Sequence, residues 1–288
     1  RQRQMCIRDS FTVDLYVESE WHDPRLALPA SDSASLRTLP LSDIWTPRLT
    51  IINNRGLDSL LPEVATIDVE GNVIARLRLA GPLAVDLELR DFPFDTQRLP
   101  IEIVSYQYSP DEIIFSERSE FIANLEALSG DGWNYTSGGS EPIVYRLKDD
   151  GRGAAGLTFA VLAERDATFY MLTLALPMTL ILFLAWMAHW LPVELVPPRM
   201  GTASASVFSL IALGVSFRLT LPRITYLTVA DFFGLFATLL VLVSLAVTVV
   251  TVRWANSERK DAAERLAMRA RIAFPILYGL IVVLTLSG

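Results

Sequence analysis

The chain has 288 residues, 51% of them apolar, one cysteine (Cys6) and a formal net charge of -7. That length allows two domains, the acidic balance excludes nucleic acid as a partner, and a lone cysteine excludes both an internal disulfide and a cysteine-based zinc site. Apolar residues are unevenly placed: up to about Asp166 charges mix with short alternating runs, and beyond it come four mostly apolar stretches of roughly twenty residues or more.

The opening "RQRQMCIRDS" lacks the long apolar region of a signal peptide, so this start reads as truncated or foreign. From Phe11 the runs "FTVDLYVESEW", "NVIARLRLAGPLAVDLELR", "RLPIEIVSYQY" and "GLTFAVLAER" alternate with a period of two, as half-buried antiparallel strands do. Turn signals at "EGN" (70–72), "SPDE" (109–112), "SGDG" (129–132) and "KDDGRG" (148–153) separate them at the spacing of an immunoglobulin-like β-sandwich, the architecture expected for residues 1–166. The two histidines, His22 and His189, fall in different domains without a nucleophile or metal partner beside them, so neither an enzyme, a metal site nor a cofactor is expected.

Residues 167–288 read as an all-α membrane domain, with helices at about 169–191, 199–219, 228–253 and 267–286. The first span carries aromatics at both ends and Pro177 within. In the second, Thr202, Ser206, Ser209, Ser216 and Thr220 fall on one stripe, compatible with close helix packing and with a water-lined face. Arg253, Arg259, Lys260, Arg265, Arg269 and Arg271 gather around the link between the third and fourth spans and mark it as cytoplasmic, which leaves the first domain and the carboxy terminus outside.

Seven motifs, "WHDPRL" (21–26), "IWTPRLTIIN" (44–53), "FPFDTQ" (92–97), "ERDATFY" (164–170), "PPRMG" (197–201), "LPRITYLT" (221–228) and "RIAFP" (271–275), occur in an order that resembles the pentameric ligand-gated ion channels, the Cys-loop receptor superfamily, in its bacterial, disulfide-free form. The resemblance spans nearly everything from Phe11 onward and implies an extracellular β-sandwich, four membrane helices, and five subunits whose second helices line a pore. Relative to that family the opening helix and first strand are missing or replaced. Val85 and Leu99 stand where its signature loop has cysteines.

In the family that loop is the joint between the sandwich and the membrane helices. The resemblance therefore assigns coupling to Phe92, Pro93, Phe94 and Asp95, to Arg165 as the partner of Asp95, and to Leu221, Pro222 and Arg223 of the linker after the second span. It assigns a small-molecule agonist, with a cationic amine favoured by cation–π attraction, to a box of Tyr16, Tyr106, Tyr108 and Tyr145. A core or rim role for these tyrosines stays open. Anchoring on "LPR" puts Gly201, Ala205, Phe208, Ala212 and Val215 on the pore face, with Arg199 at the inner mouth and Arg218 at the outer. The competing register uses Thr202, Ser206 and Ser209. Pro197, Pro198 and Arg199 resemble the inner mouth of anion-selective relatives, while Glu194, about a turn outside, offers a cation-attracting ring. The implied protein is a homopentamer in membrane lipid of the bacterial inner (plasma) membrane, its first domain periplasmic, passing inorganic ions. The alternatives are a cation-selective or proton-gated channel, and a membrane receptor or transport component with a β-sandwich sensor and no pore.

Overall fold

The structure, a computed structural model, describes residues 10–28, 36–116, 132–146, 153–219, 224–257 and 259–287. Among the described residues the strands are β1 (Ser10–His22), β2 (Leu36–Pro40), β3 (Leu49–Ile51), β4 (Asp58–Ser59), β5 (Val64–Asp68), β6 (Asn72–Ala84), β7 (Thr96–Ser105), β8 (Trp133–Arg146) and β9 (Gly153–Arg165). They form two antiparallel sheets, β1-β6-β5-β2 with β4 paired to β6, and β3-β7-β9-β8. The alternation of β1 decides its faces: Phe11, Val13, Leu15 and Val17 pack with Ile51, Leu83, Ile101 and Ile103. A second cluster of Ile44, Ala65, Ile67, Val73 and Ala75 takes Trp21 from the same strand. Gly71 makes the β5–β6 turn possible, since its φ is +88° and a Cβ there would meet the Asp23 carbonyl oxygen at 2.5 Å.

Four helices follow: α1 (Thr168–Met187), α2 (Val196–Arg218), α3 (Val229–Ala255) and α4 (Lys260–Ser287), each containing a stretch long and apolar enough to cross a membrane. Within α1, residues Met171–Ala175 form a π-turn closed by the Leu176 N–H on the Met171 carbonyl. It directly precedes Pro177, whose ring crowds the carbonyl four residues back, so the wider turn absorbs the proline. Helix α4 begins at Lys260, ahead of the expected start near 267. Alanines favour the helical state there, and Ala263 and Ala267 pack against Val193, Ala255 and Trp254. His189 is buried, its Nε2 2.9 Å from Ser244 Oγ.

The chain divides into two compact units. One contains Arg1–Leu87, Gln97–Ser129 and Tyr135–Ala163; the other contains Glu88–Thr96, Gly130–Asn134 and Glu164–Gly288. The bend carrying Phe92 to Asp95 therefore belongs with the helices.

Candidate functional site

The bend at 88–96 closes on itself through the Phe92 N–H on the Leu89 carbonyl (3.2 Å) and the Phe94 N–H on the Asp91 carbonyl (2.7 Å), with a cis peptide between Phe92 and Pro93. Phe92 is buried, edge-on to Tyr170 at 4.7 Å between ring centroids and tilted against Phe217 at 6.1 Å. Pro93 is buried and Phe94 exposed.

Asp95 is 2% exposed and bonded in two-toothed fashion by Arg165, Nε to Oδ1 at 2.7 Å and Nη2 to Oδ2 at 3.1 Å. The Arg165 backbone N–H also donates to the Asp95 carbonyl at 3.1 Å. Three rings surround the guanidinium, Trp133 at 4.0 Å, Phe92 at 4.9 Å and Tyr170 at 5.6 Å from their centroids. Buried charges persist when each is paired and its remaining face lies on something polarisable, and this cation has both.

The bend also caps a helix. The first N–H groups of any helix lack intrahelical partners, and in α3 the Val229 N–H donates to the Arg90 carbonyl (2.9 Å) and the Ala230 N–H to the Phe92 carbonyl (3.2 Å). Thr228 and Asp231 complete the terminus as a capping box, the Asp231 N–H on Thr228 Oγ1 and the Thr228 N–H on Asp231 Oδ2. From the preceding segment Tyr226 accepts from the Leu89 N–H at 3.0 Å, and the Arg90 guanidinium lies over the Tyr226 ring at 5.6 Å. Leu221, Pro222 and Arg223 lie outside the described residues. Of the groups gathered at this bend, sequence reasoning missed Trp133, Tyr226 and Asp231. Only Asp231 had a readable signal, the Thr-x-x-Asp pattern ahead of an apolar run.

The proposed box residues are less tightly gathered. Tyr16 is exposed on β1 opposite Arg78, flanked by the Arg78–Asp14 and Arg76–Glu18 ion pairs at 2.7 and 2.8 Å. The Arg78 guanidinium, hydrogen-bonding Asp14, holds that carboxyl below the usual carboxylate range. Tyr106 is exposed just after β7, and Tyr145 is half-buried on β8. Tyr108 is bound to a tryptophan that sequence reasoning did not single out: its hydroxyl accepts from Trp45 Nε1 at 2.7 Å, the rings 5.6 Å apart, and Trp45 stands edge-on to Trp21 at 6.1 Å. Tyr108→Phe should leave the indole N–H without its acceptor and cost about 1 kcal/mol. Thermal unfolding should register that loss of stability.

On α2 exposure follows a stripe. Gly201, Ala205, Phe208, Ala212 and Val215 are exposed, Phe208 at 72%, whereas Arg199, Ala203, Ser206 and Leu210 are buried on the opposite side. Of the competing register, Ser206 is buried and turns its hydroxyl back onto the Thr202 carbonyl at 2.9 Å, Thr202 is half-buried and Ser209 is exposed. Arg199, assigned to the inner mouth by the resemblance, lies in the first turn of α2. The side chain is 0% exposed in its own subunit, with all three guanidinium nitrogens unpartnered. Glu194, Pro197 and Pro198 at that end are exposed. At the outer end Arg218, its side chain 51% exposed, forms an ion pair with Asp231, Nε to Oδ1 at 3.0 Å.

Residues 6–138 match the model of the neurotransmitter-gated ion-channel ligand-binding domain. This stretch is thus similar to the ligand-binding domain of the Cys-loop receptor superfamily, and the four helices long and apolar enough to cross a membrane that follow it support membership of that superfamily. A ligand-binding domain of this kind followed by four such helices supports a ligand-gated ion channel and fits a multi-pass membrane protein, in a family whose usual state is a pentamer. The family is one of receptors and not of enzymes.

Proposed function

We propose that five copies of this chain form a homopentameric channel of the bacterial inner membrane, in which a periplasmic small molecule opens a central pore lined by α2. The observation that carries the pore assignment is the two-sidedness of α2. Gly201, Ala205, Phe208, Ala212 and Val215 recur at helical spacing along an exposed face, and Arg199, Ala203, Ser206 and Leu210 bury the opposite one. Small side chains on either side of one large apolar ring leave a passage with a single constriction, and five phenylalanines at Phe208 close it by excluding water. Tyr16, Tyr106, Tyr108 and Tyr145 present electron-rich faces suited to a cationic amine, at about 0.5–2 kcal/mol per contact. The Tyr108 hydroxyl already serves Trp45, so that residue offers its ring.

Coupling runs through the 88–96 bend. Its carbonyls supply the acceptors for the first N–H groups of α3, and its buried Asp95 is fixed by Arg165 on the strand that enters α1. Movement of the bend therefore carries the helix start with it, or leaves N–H groups without acceptors.

Anion conduction is the favoured selectivity, on the Pro197-Pro198-Arg199 inner end and the positive pole of α2 that begins there. The rival, cation conduction, rests on a specific observation: Glu194 is exposed and Arg199 is wholly buried, which makes a ring of carboxylates the outward charge at that end. Purified protein in planar bilayers under a sodium chloride gradient should give unitary current steps reversing near the chloride equilibrium potential. Reversal near the sodium potential establishes the Glu194 reading, and a reconstituted pentamer that never produces steps leaves a sensor without a pore.

A further inference from the structure

The Asp231 carboxylate faces two ways. Its side chain is only 7% exposed; Oδ2 accepts from the Thr228 backbone N–H (3.0 Å) and hydroxyl (3.1 Å), while Oδ1 forms an ion pair with Nε of the half-exposed Arg218 side chain at 3.0 Å. Arg218 is the last residue of α2, and Asp231 lies in the first turn of α3. Each charge therefore sits at the helix end whose dipole favours it, the cation at a carboxy terminus and the anion at an amino terminus. The two residues before Asp231 are Val229 and Ala230, whose N–H groups are held by Arg90 and Phe92 of the bend.

We propose that Asp231 is the positioning residue that hands displacement of the 88–96 bend to the pore helix, through a latch on Arg218. The inference rests on the pore reading of α2 and adds to it a route from bend to pore made wholly of described contacts. The chain of forces is the bend carbonyls, the first turn of α3, the Asp231 carboxylate and the Arg218 guanidinium. The second consequence concerns Arg218 itself: a guanidinium tied to a largely buried carboxylate is a fastening for the outer end of α2 and not a free charge in the outer mouth.

The test is a double-mutant cycle with Arg218→Gln and Asp231→Asn, read as open probability, spontaneous and evoked by tetramethylammonium, in planar bilayers of the purified full chain. Arg218→Gln leaves the capping box untouched, so its result stands even if Asp231→Asn assembles poorly; surface or detergent pentamer yield is measured beside each. Each single variant should lower evoked open probability about tenfold, within the usual range of coupling between sites, and the double variant should fall no further. Unitary current should stay at the wild-type value in Arg218→Gln. Losses that multiply in the double variant overturn the latch, as does a changed unitary current with gating intact, the signature of a mouth charge. A wild-type protein without unitary currents overturns the pore reading and this one with it.

Discussion

Asp95→Ala is expected to remove agonist-evoked current while pentamers still reach the membrane. Arg165 would then remain buried without its carboxylate, a loss that costs about 3–5 kcal/mol where burial is complete. Its side chain is 11% exposed and that of Asp95 1%, so the figure applies with little discount for solvent. Applied to the balance between resting and open states, it corresponds to about a hundredfold or more in the gating constant. Assembly should survive, because Trp133, Phe92 and Tyr170 still surround the cation and the Arg165 N–H still finds the Asp95 carbonyl. Arg165→Lys separates charge from geometry: an ammonium keeps the charge and loses the two-toothed fork, so its current should lie between wild type and Asp95→Ala. Whole-cell current divided by surface pentamer count measures all three, and wild-type current from Asp95→Ala removes the coupling role.

Phe208→Ser should have the opposite sign, a standing leak or slowed closing without agonist. A ring of five apolar side chains excludes water from a narrow passage, and five hydroxyls readmit it. The residue is the most exposed large side chain of the α2 stripe, and Ser209 lies about 100° around the helix from it. Current recorded before agonist is the readout. A leak from altered Ser209 and none from Phe208 moves the lining by one position.

Much of the architecture was legible because the burial patterns are simple. In β1, from Ser10 to His22, every second residue turns inward, and a period of two is visible to any reader of the string. The four apolar stretches exceed what a bilayer requires. Other features depend on side chains meeting across long separations. Trp45 and Tyr108 are 63 positions apart, and neither carries a local sign that one donates to the other. Arg218 near an outer mouth and Asp231 in a cap each had a complete local explanation, and only the fold makes them one ion pair. The burial of Arg199 was illegible for a related reason. Helical spacing fixes which face a residue occupies relative to its neighbours, but a long flexible side chain at a helix end is placed by what packs around it. Here it is stowed inside the subunit, where the amino-terminal pole of α2 adds to the cost of leaving it unpaired.

The grouping of Glu88–Thr96 and Gly130–Asn134 with the helices has a bearing on protein engineering. A hybrid receptor that receives a foreign sensor by a single cut near residue 166 imports a foreign bend as well, and α3 then begins against carbonyls it did not evolve beside. Five splice points, retaining 88–96, 130–134 and everything from 164 as native sequence, keep Arg90, Phe92, Asp95, Trp133 and Arg165 together with the helix they serve. Transplanted sensors should thus be interchangeable as inserts between those splice points.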